Sequence, residues 1–211
     1  IERVDAPVAR ANLRTDQIAE RIDVLRSWMS KGQLLWENMS KGMLGLAPNS
    51  TFTFMPKDAS EHSGMAGQIY CQGNFRCAPE EAVIFTFEPP LSRHWNISIA
   101  NVYWEAVDFV TRHGSLNGHQ ATLDEDGRFR VVIAHEDPGV PNWLDTCGHE
   151  KGTIIARFIL AQADLPDPTS CVVALAEVRD ALPANTGVVT AEQRAATIGR
   201  RRDSLWKRYR R

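Results

Sequence analysis

The chain has 211 residues, of which 43% are hydrophobic, 24% charged and 8% aromatic, with a formal net charge of −2 at pH 7. This excludes wholesale disorder and a large multidomain assembly, and leaves room for one sizeable domain, or a domain with a helical appendage, built round a core of its own. No run approaches the roughly 18 consecutive apolar residues of a membrane-spanning helix, and Ile1-Glu2-Arg3-Val4-Asp5 lacks the basic-then-apolar pattern of a signal peptide.

In chain order, Ile1-Glu2-Arg3-Val4 followed by Asp5-Ala6-Pro7 reads as the exit of a strand into a linker, so sequence upstream of Ile1 is expected. Thr15 and Asp16 supply an N-cap and a first-turn acid, after which Ile18, Ile22, Leu25, Met29, Trp36, Met39 and Met43 recur at alternating spacings of four and three. This predicts a long amphipathic helix over about 15–43 whose seam wants a partner. From Pro48 the texture changes to short alternating segments punctuated by Gly, Pro, Asn and Asp, the pattern of an antiparallel β-fold. Strands are expected near 51–55, 68–76, 82–88, 94–104, 109–116, 119–124, 128–135 and 152–161, with a hairpin at Asp126-Gly127. After Pro166 and Pro168 come a short strand from Cys171 and a short helix near Leu175 to Leu182. A final helix starts at Thr190, where Thr190-Ala191-Glu192-Gln193 forms a capping box. The fold class is therefore mainly β, an antiparallel β-sandwich or jelly-roll-like core with a long N-terminal helix and a C-terminal basic helix. Residues 1–47 form the linker and long helix, 48–166 the β core, and 167–211 the C-terminal strand and helical tail.

The tail from Arg194 to Arg211 holds eight basic residues against Asp203, a local +7 that leaves −9 on the remainder. Such a tail suits an anionic partner or an acidic face of its own protein. No aromatic platform or zinc motif accompanies it, so nucleic acid is not the expected partner. Cys71, Cys77, Cys147 and Cys171 include no Cys-x-x-Cys pair, which fits buried thiols in a reducing compartment and a cytoplasmic location.

The segment from His135 to Glu150 is the most unusual, with two His, two Asp, two Glu, an Asn and a Trp between two expected strands. Two readings compete. In one, His135, Asp137, Asp145 and His149 converge as an acid–base set, or as ligands of a divalent metal, the one cofactor this residue set would suit. In the other, Asp137 starts a turn before Pro138-Gly139, Asp145 holds its own loop, and His135, on the face of Phe129, Val131 and Ile133, is a core histidine held by a buried partner. A second candidate is the stripe His94, Asn96, Ser98 on the strand 94–104. With Asn101, Trp104 and Glu105 it makes a pocket if it faces inward, and an ordinary solvent-facing stripe if it does not. No nucleophile elbow, phosphate loop, dinucleotide fingerprint or His-Glu-x-x-His motif is present.

Trp95-Asn96-Ile97-Ser98, Asn101-Val102-Tyr103-Trp104-Glu105-Ala106-Val107-Asp108 and the block Asp137-Pro138-Gly139-Val140-Pro141-Asn142-Trp143-Leu144-Asp145-Thr146 within Ala134–Thr153 resemble the bacterial domain-of-unknown-function family numbered twelve-fourteen. The resemblance covers about residues 70–211. It implies a β-sandwich core related to jelly rolls, carried as the C-terminal domain of larger two-domain proteins, and no agreed reaction. The chain departs from the family pattern at Cys147 and Glu150, which weakens a chemical role for either.

The leading expectation is a domain that binds a small hydroxylated or amphipathic metabolite at the 135–150 loop, with Trp143 and Trp104 as apolar surface and Asp137, Asn142, Asp145 and His149 orienting polar groups. The alternatives are an enzyme, of hydrolase or lyase type, using His149 and Asp145, with His135, as acid–base groups, and a structural module that docks its long helix and basic tail on an upstream half or a sister subunit.

Overall fold

The computed structural model describes residues 14–55 and 67–209. The chain divides into two compact units, Ile1–Asn38 and Met39–Arg211. The first is described as helix from Thr15 onward, part of α1 (Thr15–Leu44), with Asp16 in the first turn and Lys41 in the last. A single helix has no core of its own, and within this unit Ile18, Ile22, Leu25, Met29 and Trp36 are all exposed.

The second unit is mainly sheet. Among the described residues, nine strands, β1 (Thr51–Phe54), β2 (Gln68–Arg76), β3 (Glu81–Phe87), β4 (His94–Ala100), β5 (Ser115–Asn117), β6 (Phe129–Ala134), β7 (Trp143–Asp145), β8 (Lys151–Ile159) and β9 (Thr169–Ala174), precede a short helix α2 (Val178–Ala181) and the long α3 (Ala191–Tyr209). They form a five-stranded sheet in the order β1-β2-β8-β4-β5 and a four-stranded sheet in the order β7-β6-β3-β9. Every pairing between these strands is antiparallel except β6 with β7.

Alternation assigns the faces. Phe129, Val131 and Ile133 of β6 join Val83, Phe85 and Phe87 of β3 in one apolar cluster with Phe75, Ile97, Ile99, Ile154 and Phe158 of the other sheet. The intervening Val132, Ala134, Ala82 and Ile84 point the other way, onto Val140, Trp143, Val178 and Leu182. β3 and β6 are thus buried on both faces, while β9 forms an exposed edge, and each fully buried Phe contributes about 2–3 kcal/mol of transfer free energy. Gly152 in β8 lies so near β4 that an added Cβ would sit 2.1 Å from the Ala100 carbonyl oxygen and 2.6 Å from the Phe75 ring.

Buried Asn74 of β2 closes the C-terminal end of α1, whose last carbonyls have no helical partner. Its Nδ2 donates to the carbonyls of Met43 (2.9 Å) and Ala47 (3.2 Å), while its Oδ1 accepts the Asn49 N–H at 3.0 Å. At the other end of the fold, Thr190 and Gln193 exchange the two hydrogen bonds of the expected capping box.

Three expected strands are corrected. The strand at 94–104 ends at Ala100, because Asn101 Oδ1 accepts the N–H groups of Tyr103 and Glu105 and turns the chain. The stretch 109–116 yields only Ser115–Asn117, since Asp108 Oδ1 captures the N–H groups of Val110 and Thr111. The stretch 119–124 is not a strand: Asn117 Oδ1 accepts from His119 and Gln120, and the Asn142 side chain takes both the N–H and the carbonyl of Thr122. In each case a side chain supplies the backbone bonds that a sheet would otherwise provide.

Candidate functional site

The unusual segment leaves β6 at His135, turns at Asp137 and returns as β7 beside the strand it has left. Asp137 Oδ1 accepts the Gly139 N–H at 2.9 Å, and Gly139 adopts φ 71°, a conformation that favours glycine. Val132 then donates to the Asn142 carbonyl at 2.9 Å, which sets the parallel register Val132 with Trp143. Continuous apolar burial on both faces suits a parallel pair, so Trp143-Leu144-Asp145 is strand where a loop was expected.

Within this frame the polar side chains brace rather than converge. Asp145 is buried and binds Arg112 through both oxygens, at 2.6 and 2.8 Å, while Oδ1 also accepts the Cys147 N–H at 2.8 Å. These charge-assisted bonds commit the carboxylate to Arg112 and to its own loop. His149 is exposed and its side chain makes no hydrogen bond among the described residues. The expected Asp145/His149 acid–base pair is therefore not assembled. His135 is half-buried with Nε2 at 2.9 Å from the Cys77 carbonyl, the held histidine of the structural reading. Asn142 is buried: it accepts from Thr122 and donates to the carbonyls of Thr122 and Arg130. Trp143 donates Nε1–H to the Ala134 carbonyl at 3.2 Å.

Residues outside the candidate set complete this arrangement. Arg194 of α3 is buried, bonds Asp137 at 2.8 Å, reaches the Val140 carbonyl at 2.5 Å and lies 5.3 Å from the Trp143 ring. Through Arg194, the first turn of α3 thus docks on its own domain. Fully buried His113 brings Nδ1 to 2.5 Å from the Trp143 carbonyl and stacks on the Trp143 ring. An N–H at Nδ1 donates there, and burial, reinforced by Arg201, lowers the His113 pKa to about 4. Arg112 is raised further above its ordinary range by its bonds to Asp145. Arg112-His113 was hidden inside an expected strand, and Arg194 was one of eight equivalent-looking cations; the only available signal was the excess of carboxylates in the loop they serve.

The second candidate pocket is corrected. Odd residues Ile97 and Ile99 are buried and Trp95 packs on Phe129 and Phe158, so Asn96 lies on the opposite face of β4 with exposed His94. Asn101 and Glu105 bond each other at 2.7 Å, and half-buried Trp104 sits at φ 63° in the same turn. Asn96 is therefore on the face of β4 away from the apolar cluster, and Asn101, Trp104 and Glu105 share the turn that follows.

A hollow of ≈ 160 Å³ does lie beside the loop, between Val140–Asn142, the turn 122–125 with Arg130, and Leu182 with 185–187. Arg130 is fixed at its wall by Asp124 (2.7 Å) and Asp126 (2.6 Å), the latter carboxyl being held at about 2 by that guanidinium. Thr186 reaches Asp124 at 3.2 Å, whereas Glu125 and Asn185 make no side-chain hydrogen bond among the described residues.

No family model matches the chain, and no curated protein is similar to it at a significant level. Solved structures are similar. An uncharacterized protein from Burkholderia cenocepacia is 26% identical with a TM-score of 0.73, over 83% of this chain and 48% of that one. The VPA0106 protein from Vibrio parahaemolyticus is 15% identical with a TM-score of 0.41, over 77% and 47%. The chain thus spans about half the length of the solved proteins it matches.

Among the described residues no group of three or more His, Cys, Asp or Glu side chains is placed to hold a metal ion, so the loop does not supply the divalent site considered from its composition. The four cysteines are free, and burial followed by the Asp145 charge raises the Cys147 thiol, the wrong direction for a nucleophile. No helix among the described residues is long and apolar enough to cross a membrane.

Proposed function

We propose that this chain is a metabolite-binding domain whose ligand, small and hydroxylated or amphipathic, sits in the hollow beside the 135–150 loop. In this reading the two sheets form a sandwich related to jelly rolls, and the chain is the C-terminal, cytoplasmic half of a larger protein of the family numbered twelve-fourteen. Support for the architecture comes from the apolar cluster shared by both sheets and from the likeness to half of the longer Burkholderia protein. The observation that carries the ligand is the hollow itself: Leu123, Val140, Pro141 and Leu182 offer an apolar side, while Glu125, Asn185 and Thr186 offer hydrogen-bonding groups. The rigid wall is supplied by Asn142 and Arg130, whose own bonds are already made. A thermal-shift screen with a panel of small polyols and hydroxy acids tests it. Hits should be weakened by the double variant Glu125→Ala, Asn185→Ala; identical responses from wild type and variant overturn the assignment.

A second reading, an assembly module, is favoured by the exposed apolar side chains of α1. Light scattering on a chain lacking residues 1–38 decides it. A fall from oligomer to monomer supports docking through this helix, and an unchanged oligomeric state discards it.

A further inference from the structure

A larger hollow of the second unit lies elsewhere, between one face of α3 and the segment 109–120, with a volume of ≈ 650 Å³. From α3 it is lined at 197, 200, 201, 204, 205 and 208, a helical spacing that places three arginines on one stripe. Phe109, Val110 and His119 are on the facing wall, and among the described residues no Asp or Glu lines it.

Among the described residues, three arginines with no lining carboxylate make a cationic surface. Arg201 is the telling member. It is half-buried, its Nη2 bonds the Ser115 carbonyl and approaches Gln120 Oε1 at 3.4 Å, and its buried Nε has no hydrogen-bond partner among the described residues. Burying a guanidinium without a counter-charge is costly, and an anion removes that cost. Burial, then the neighbouring Arg194, lowers the Arg201 pKa, the direction expected of a cation lacking its counter-ion. Arg200 bonds only Thr197 (2.9 Å), and the side chains of Arg208, His119 and Ser204 make no hydrogen bond among the described residues, so donors remain for an incoming group. Phe109, Val110 and Leu205 provide apolar surface beside them. The volume falls within the roughly 300–1,000 Å³ of ordinary small-molecule sites.

We propose that this hollow binds a small phosphorylated molecule, its phosphate held by Arg200, Arg201 and Arg208 and its apolar body resting on Phe109, Val110 and Leu205. The site is separate from the hollow beside the 135–150 loop, and its probe carries no hydroxylated chain, so each assignment fails on its own. Phenyl phosphate is the probe, titrated calorimetrically into the full chain at constant ionic strength, with phenol and inorganic phosphate alongside. Phenyl phosphate should saturate more tightly than either fragment and weaken at least about ten-fold in the double variant Arg200→Gln, Arg208→Gln, whose residues are exposed and whose unliganded melting temperature should match wild type. Arg201→Gln should weaken it further, with circular dichroism confirming the fold. Absence of saturation by about 10 mM, or equal affinity in the double variant, overturns the proposal. Binding to phosphatidic acid vesicles without binding of phenyl phosphate would also overturn it, in favour of a membrane-surface role for the helix.

Discussion

Asn142 and His149 belong to the same loop, and their surroundings assign them opposite weights. Asn142 satisfies backbone groups of two neighbouring segments with three hydrogen bonds from a buried position. Asn142→Ala should cost about 2–3 kcal/mol, read as a lower urea midpoint with an unchanged slope. His149→Ala should change stability by less than about 0.5 kcal/mol, because the side chain is exposed and makes no hydrogen bond among the described residues. It should also leave intact any activity the protein carries, since the neighbouring carboxylate is committed to Arg112. A large loss of activity in His149→Ala would restore the acid–base reading.

At the scale of elements, the joint between the 135–150 loop and α3 is the decisive one. Arg194 meets Asp137, the Val140 carbonyl and the Trp143 ring at once. Arg194→Met should cost about 3 kcal/mol, since the partners are left in place without their cation; chemical denaturation measures it. Gly152→Ala should be similarly damaging by a different route, because the added methyl meets the carbonyl of Ala100 rather than a flexible side chain. Much of this layer was legible in the sequence: α1 and α3, the long strands β2, β3, β4, β6 and β8, and the capping box all follow from periodicity and end signals. The lost elements share a cause. Asn101, Asp108, Asn117 and Asn142 divert backbone groups from the sheet through contacts that alternation does not encode. The short β7 is defined by its parallel pairing with β6 and by burial, neither of which alternation encodes. For the 135–150 loop, composition showed the excess of polar and charged groups, but which cations those groups hold depended on Arg112 and Arg194, distant in sequence.

For the whole molecule, the buried imidazole of His113 ties stability to pH. With its pKa lowered to about 4 in the folded protein and near 6.5 when unfolded, folding excludes a proton that the unfolded chain accepts. Above pH 6.5 the two states are alike; as pH falls from 6.5 toward 4 the unfolded chain gains the proton first and stability declines, by up to about 3 kcal/mol. Denaturant midpoints across that window should fall for wild type, and the decline should be shallower in His113→Asn, which keeps a donor for the Trp143 carbonyl and does not titrate. Equal slopes would place the acid sensitivity elsewhere.

The bond between Arg194 and Asp137 spans 57 positions of sequence, and this has a consequence for biosynthesis. A nascent chain that has released both sheets from the ribosome still presents Asp137 and the Val140 carbonyl without their guanidinium. Until residue 194 emerges, that surface is open to chaperones and proteases. Ribosome-stalled chains ending shortly before and shortly after it should differ abruptly in proteolytic resistance.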